Sequence, residues 1–280
     1  MVNIFLLNWQ SFNSIKKRLQ EINEIKEVLR IIVINNDSRS LQAIDMICIC
    51  NYHELHVVNN GCNLGYAGGN NAGYEYLKKN NLDGDVIIAN PDVSLSAKVI
   101  HSLLGARGLE KFGAAMTAAH NENGTVLYRY IMMSGFSQKW KCDLESDFCK
   151  TDYVAGSLFL ISREVLDKIG LFDERYFLYW EEVDLSFRIK DAGYELYSLP
   201  SISILRETNS LSRTINALYY LSRNSFLLKF KFPKRFKKYD IIIYLFKMFI
   251  LGLKISLKSR LVQPLINVFK GFIDGLKFNR

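Results

Sequence analysis

The stretch DVIIANPDV, Asp85 to Val93, decides how this chain is read. Its first half is a short, unbroken apolar run, the composition of a strand buried on both faces. Its second half sets Pro91 and Asp92 at the mouth of that strand, with the proline restricting the backbone around it. A carboxylate there is either the cap of a helix expected over Ser94 to Leu104 or a ligand-facing group on a rigid rim.

Outward from this run, apolar segments alternate with helical patterns. VNIFLL is followed by apolar residues at Leu19, Ile22, Ile25 and Leu29, then by IIVI, ELHVV and a helix expected from about Asn71. This alternation predicts βαβ units and an α/β fold, a Rossmann-like, mostly parallel sheet flanked by helices. Such sheets bind ligands at the C-terminal ends of their strands. Polar residues stand at those ends: Asn8 and Trp9, then Asn35 to Ser38, then the stretch from Asn59 to Gly73, then NPDV. Four loops are expected to meet on one rim.

Gly65, Gly68, Gly69 and Gly73 are spaced G-x-x-G-G-x-x-x-G, unlike the fingerprint of nicotinamide-binding sheets. Close glycines ahead of a helix let a backbone approach an anion such as a pyrophosphate, and they equally serve a tight turn. Farther on, Lys139 to Asp152 reads as a polar loop or excursion, and YVAGSLFLIS as a strand. Ser162, Arg163 and Glu164 open a short helix that Gly170 ends, and SISIL reads as a strand.

With 280 residues and 49% hydrophobic content, the chain supports one large domain and an appendage, which excludes disorder. Five cysteines, with Cys48 and Cys50 spaced C-x-C and no second pair, indicate neither a disulfide framework nor zinc, so a reducing cytoplasmic setting is expected. MVNIFLLNW reads as a strand rather than a signal peptide.

The net charge of +8 is uneven: residues 208–280 hold 15 Lys/Arg against 2 Asp/Glu, a net +13, leaving −5 for residues 1–207. Six basic residues fall in 229–238, and Asp240, Lys247, Lys254 and Lys258 form one stripe on an otherwise apolar helix. This pattern predicts a helical extension, 208–280, that lies peripherally on the inner face of the cell membrane against anionic lipid. A crossing needs about 20 uninterrupted apolar residues, and the lysines interrupt them. Packing against the globular domain or a second copy is the alternative. The tail carries no recognised nucleic-acid module, and no nucleic-acid partner is expected.

The segment YWEEVDLSFR, Tyr179 to Arg188, places Glu181, Glu182 and Asp184 at the start of a helix. The helix dipole explains acidic residues there, yet Phe177, Tyr179 and Trp180 beside them also provide the apolar collar of a desolvated general base.

NW, INNDS, NLGYAGGNNAG, NPDV, the long segment AGSLFLISREVLDKIGLFDERYFLYWEEVDLSFRIKDAGY and YYLSRN follow one another in an order that resembles the inverting family 2 glycosyltransferases of GT-A fold. The rhamnosyltransferase-type members, which build bacterial O-antigen and other surface polysaccharides, are the nearest in pattern. The resemblance spans roughly residues 2–224 and implies a glycosyltransferase domain over 1–207. It implies that Asn8, Trp9, Asn35 and Asp37 contact the base and ribose of a dTDP- or UDP-sugar. Asn63, Gly65, Gly69 and Asn70 would line the nucleotide and diphosphate. Gly156, Trp180 and Arg188 would complete the donor site.

NPD stands where the family has its D-x-D motif, so Asp92 matches the carboxylate that holds a divalent metal, Mg or Mn, with Asn90 in place of the first Asp. Glu182 falls where the family has the Asp that deprotonates the acceptor, flanked by Glu181 and Asp184.

Three residues depart from the family pattern. Asn35 replaces a frequent Asp, though its amide oxygen can still accept from a pyrimidine N–H. Glu182 is longer than Asp, and Arg206 and Glu207 stand where a His is usual. The implied reaction is one displacement at the anomeric carbon onto a glycan or lipid-linked acceptor. A non-catalytic sugar-nucleotide-binding or assembly subunit is the alternative.

Overall fold

The computed structural model describes residues 1–43, 46, 49, 53–144, 146–206 and 211–279. Cys48, Cys50 and Glu207 lie outside the described residues. In chain order the first half runs β1 (Val2–Asn8), α1 (Phe12–Asn23), β2 (Arg30–Asn35), β3 (Glu54–Asn59), α2 (Gly65–Lys79), β4 (Asp85–Ala89) and α3 (Ala97–Gly105). Then come β5 (Phe112–His120), β6 (Val126–Tyr128), β7 (Tyr130–Ser134), β8 (Ser137–Lys141), β9 (Cys149–Lys150) and β10 (Leu158–Ile161). The remainder is α4 (Arg163–Ile169), α5 (Glu181–Asp191), β11 (Glu195–Leu205), α6 (Leu211–Lys231), α7 (Asp240–Ser259) and α8 (Gln263–Leu276).

Nine of the eleven described strands form one sheet ordered β3-β2-β1-β4-β10-β5-β11-β9, with β6 on β5, and β7 and β8 pair apart from it. β1 to β4 pair in parallel, whereas β10 runs antiparallel to both β4 and β5. Ile4 to Leu6, Ile31 to Ile34 and Val86 to Ile88 are buried because helices cover both faces, which is why these runs lack alternation. Strand order reverses between β1 and β4, so the crevice of an open α/β sheet falls between Asn8 and the NPDV segment. Pro200 sits where the β11 ladder shifts register between Leu199 and Ser203, a place where a missing donor costs little.

Three sequence expectations change. The glycine-rich stretch read as a loop up to Asn71 is already helical from Gly65. Its glycines serve close packing: a Cβ on Gly69 would lie 2.6 Å from Leu7 Cδ1, and one on Gly65, at φ +72, would lie 2.3 Å from the Phe177 oxygen. The stretch from Lys139 is not loop throughout, since β7 and β8 form an antiparallel hairpin covering 130–141. The helix after NPDV begins at Ala97, and Ser96 Oγ accepts from the Val99 amide, so Asp92 is not its cap.

At the C-terminus α8 lies tightly on α6, with Gly271 against the Tyr219 carbonyl and Gly275 against Phe226. The opposite surface stays apolar and exposed: Ile242, Phe246 and Leu257 on α7, Ile266, Phe269 and Ile273 on α8. Among the described residues, no helix is long and apolar enough to cross a membrane.

Candidate active site

Trp180 caps α5 from the left-handed region, φ 76, and Phe177 and Tyr179 also have positive φ at 64 and 67. Three such non-glycine residues just ahead of two glutamates amount to stored strain, which persists only where surroundings enforce it. The enforcement comes from α6: Asn224 Nδ2 lies 2.8 Å from the carbonyl oxygens of Tyr176, Leu178 and Tyr179. Arg223 adds a bond to the Tyr176 oxygen at 3.0 Å. The Phe177 oxygen in turn accepts from the Tyr66 and Ala67 amides at the start of α2.

Glu181 and Glu182 thus open α5 against a cleft of about 510 Å³, whose wall includes Asn90, Gly156, Trp180 and Arg206. Burial pushes the Glu182 carboxyl up to about 6, while backbone N–H groups and then the Arg206 guanidinium pull it partly back. Glu181 is driven well above the usual carboxylate range by burial and by the neighbouring Glu182 charge. Each has an Oε2 atom buried with no hydrogen-bond partner. The pair therefore combines a carboxyl whose surroundings favour the protonated form with one able to accept a proton near neutrality.

Asp92 stands beside this cleft at the mouth of β4. Its Oδ2 pairs with Arg213 at 3.0 Å, and its Oδ1 is buried without a hydrogen-bond partner. One bare carboxylate oxygen fits a hard divalent cation, which takes oxygen ligands and commonly draws most of them from water and phosphate. Among the described residues no group of three or more His, Cys, Asp or Glu is placed to hold a metal ion, so the protein alone would supply an open, partial ligand set.

The other residues singled out from sequence separate into groups. Asn8, Asn35 and Asp37 form a network at the ends of β1 and β2: Asn8 Nδ2 donates to Asn35 Oδ1 at 2.8 Å and to Asp37 Oδ2 at 3.0 Å. Asn35 Oδ1, the atom expected to face a pyrimidine, is thus already engaged, and Asn35 is buried. Trp9 beside it is 52% exposed. Asn63 caps Gly65 through its Oδ1 atom, Gly69 packs against Leu7 and Asn36, and Asn70 is buried with its Nδ2 donating to the Tyr66 oxygen at 2.9 Å. The helix N-terminus expected to bind a diphosphate offers no open amides at Tyr66 and Ala67, because Phe177 occupies both.

Asp184 and Arg188 face away from the cleft. Asp184 accepts from Arg188 Nε at 2.8 Å and pairs with Lys231, and Arg188 Nη1 donates to the Ile169 oxygen at 2.8 Å. They hold α5 to the preceding loop and to α6. Sequence reasoning left Asn224 without a role and saw Arg206 only as a departure. The YYLSRN motif marked Asn224, but nothing in its composition revealed three carbonyl acceptors some 45 positions upstream.

A family model described as "Glycosyl transferase family 2" matches residues 8–170. The chain is 25% identical over 200 residues to the low-salt glycan biosynthesis hexosyltransferase Agl10 of Haloferax volcanii, covering 68% of this chain and 61% of that protein. It is 28% identical over 202 residues to the N-acetylglucosaminyl-diphospho-decaprenol L-rhamnosyltransferase of Mycobacterium tuberculosis, covering 62% of this chain and 65% of the relative. The rhamnosyltransferase WbbL of Escherichia coli K12 is 24% identical over 231 residues, with coverage of 76% and 86%. The chain therefore spans less than two thirds of the length of the first two relatives.

Among solved structures, S. aureus TarS 1-349 superposes with a TM-score of 0.61 at 11% identity, covering 98% of this chain and 80% of that one. GalNAc-T7 with UDP, GalNAc and Mn2+ gives 0.54 at 14% identity, covering 81% and 50%. These likenesses establish a GT-A fold.

Proposed function

Because the chain belongs to glycosyl transferase family 2, we propose that it transfers a hexose, rhamnose foremost, from a dTDP- or UDP-sugar to a glycan or lipid-linked acceptor with inversion, in surface polysaccharide synthesis. The observation that supports this reading is that Glu182, able to take a proton near neutrality, shares one cleft with Asn90 at the end of β4, two residues ahead of Asp92. Residues 1–207 are read as the transfer domain.

In this mechanism Glu182 accepts the proton of the acceptor hydroxyl as the hydroxyl oxygen bonds to the anomeric carbon from the face opposite the leaving group. The bond to the nucleoside diphosphate breaks in the same displacement, which inverts the anomeric centre. Asp92, with the amide oxygen of Asn90, would hold a Mg or Mn ion, whose charge neutralises the departing diphosphate when it is bound. Arg206 adds a fixed positive charge in the cleft. Glu181, kept protonated, avoids a second negative charge beside the base. The neutral partner lets Glu182 ionise at working pH.

Nucleoside diphosphate release from a panel of dTDP- and UDP-sugars tests the reading, with acceptor-stimulated release expected for at least one donor. Asp92→Ala is expected to lower that rate by about 10- to 100-fold and to flatten its response to Mg or Mn titration. Donor binding without release from any member of the panel would instead identify a non-catalytic binding subunit.

Residues 208–280 are read as the membrane-associating extension at the cytoplasmic face, supported by the exposed apolar stripe and by Lys247, Lys254, Lys258 and Lys270 around it. Each large apolar side chain is worth about 1.5–3 kcal/mol when fully buried. The triple variant Phe246→Glu, Leu257→Glu, Ile273→Glu is therefore expected to reduce sedimentation with anionic liposomes by at least about tenfold. Equal sedimentation of variant and parent would remove the membrane from the account.

A further inference from the structure

The hairpin of β7 and β8 leaves the main sheet and forms the cleft wall through Gln138 and Trp140. Trp140 is 43% exposed, unusual for a tryptophan whose ring is otherwise fixed: it stands edge-on to Tyr128 at 5.1 Å and 83°. Its Nε1 reaches Gln138 Oε1 at 3.4 Å. The hairpin is itself anchored, because Phe136 at its turn stacks on Phe236 at 4.3 Å and meets Trp180 edge-on at 5.6 Å. A large aromatic surface is thus held rigidly, open to the cleft, with carboxamides beside it at Gln138 and Asn121.

A pyranose ring has one chemistry that matches this arrangement. Its axial C–H bonds make an apolar, weakly electropositive face that suits the electron-rich face of an indole, and its hydroxyls at the ring edge seek amide and carboxylate partners. A nucleobase would also stack. The donor's nucleotide, however, belongs by the reading above to the ends of β1 and β2, away from the hairpin. Resting on that reading, we propose that Trp140 and Gln138 form the binding platform for the acceptor saccharide, presenting one pyranose of the acceptor to Glu182.

The experiment needs no donor and no turnover. Methyl glycosides of N-acetylglucosamine, glucose, galactose and rhamnose are offered singly to the full-length protein, and saturation transfer from protein to the C–H protons of each probe is read by NMR. At least one probe is expected to give a signal that falls about fivefold in Trp140→Ala and is largely restored in Trp140→Phe. Thermal melting of both variants monitors folding, since an exposed ring contributes little to the core.

Absence of signal from every probe overturns the proposal, as does a signal that Trp140→Ala leaves intact. A Trp140-dependent saccharide signal in a protein that releases nucleotide from no donor would keep the platform while rejecting the transferase reading. The reverse pattern would do the opposite.

Discussion

Glu182→Gln is expected to lower turnover by about 100-fold or more while nucleotide-sugar affinity stays at the parent level. Glutamine keeps the size and the hydrogen-bonding outline of glutamate but cannot take a proton. The parent's rate should rise with pH through the region near 6 as Glu182 ionises, and the variant's residual rate should lack that limb.

The same carboxyl makes a second, independent reading available through stability. Its pKa is raised on folding, so the folded state favours the protonated form; the cost of burying the charge is absent below the unfolded pKa and accrues as pH rises through about 6. Glu182→Gln is thus expected to match the parent at pH 4 and to exceed it at pH 8, by on the order of 1–2 kcal/mol in chemical denaturation.

Glu181→Gln should change turnover far less, because burial and the Glu182 charge favour the protonated form of that side chain. Asp184→Asn should act on folding, by about 3 kcal/mol or more, since it leaves Arg188 and Lys231 facing a neutral group. Glu182→Asp, shorter by one methylene, should retain partial activity. Near-normal turnover in Glu182→Gln together with collapse in Glu181→Gln would transfer the role of base to Glu181.

Asn224→Ala is the second large effect. The two N–H groups of one carboxamide on α6 are shared among three carbonyls of a loop that contains three positive-φ residues, and the side chain is fully buried. Removing it takes the donor from the Leu178 and Tyr179 carbonyls, at about 1–3 kcal/mol each, while the Tyr176 carbonyl keeps Arg223 and the Leu178 amide, and it frees the loop to relax toward ordinary backbone angles. Stability is expected to fall by about 3 kcal/mol, and kcat by about 10- to 100-fold with a smaller change in KM for donor, because Glu182 loses its position rather than its chemistry. Asn224→Asp tests the same point with a side chain of equal size that cannot donate. A variant that unfolds more readily yet turns over normally at low temperature would limit Asn224 to folding.

The parts of this architecture that were legible in sequence are those where burial acts along the chain. β1, β2 and β4 are covered on both faces and show as unbroken apolar runs, and their polar ends mark the rim. The direction of β10 was not legible, because composition is the same whichever way a strand runs. The start of α2 was hidden because its glycines, residues that normally interrupt helices, are required by the approach of Leu7 and Phe177, partners distant in sequence. The hairpin of β7 and β8 was obscured because it is covered on one side only and carries exposed Met132 and Trp140. Asp92 could be placed at a strand mouth from sequence, but only the position of Ser96 separates it from a helix cap.

Phe136, at the tip of that hairpin, stacks on Phe236 and Tyr244 from the C-terminal helical region, and Phe278 near the chain end lies over Arg223, which bonds the Tyr176 carbonyl. The region that would rest on lipid is therefore also scaffolding for both walls of the cleft. A chain shortened at Phe226 would not be the same molecule relieved of its lipid contact. It would bare the buried side of Phe136 and Trp180, lose one brace of the strained loop, and confound any comparison meant to isolate membrane attachment. Attachment has to be separated from catalysis by recolouring the outer surface of α7 and α8, with the inner surface left in place.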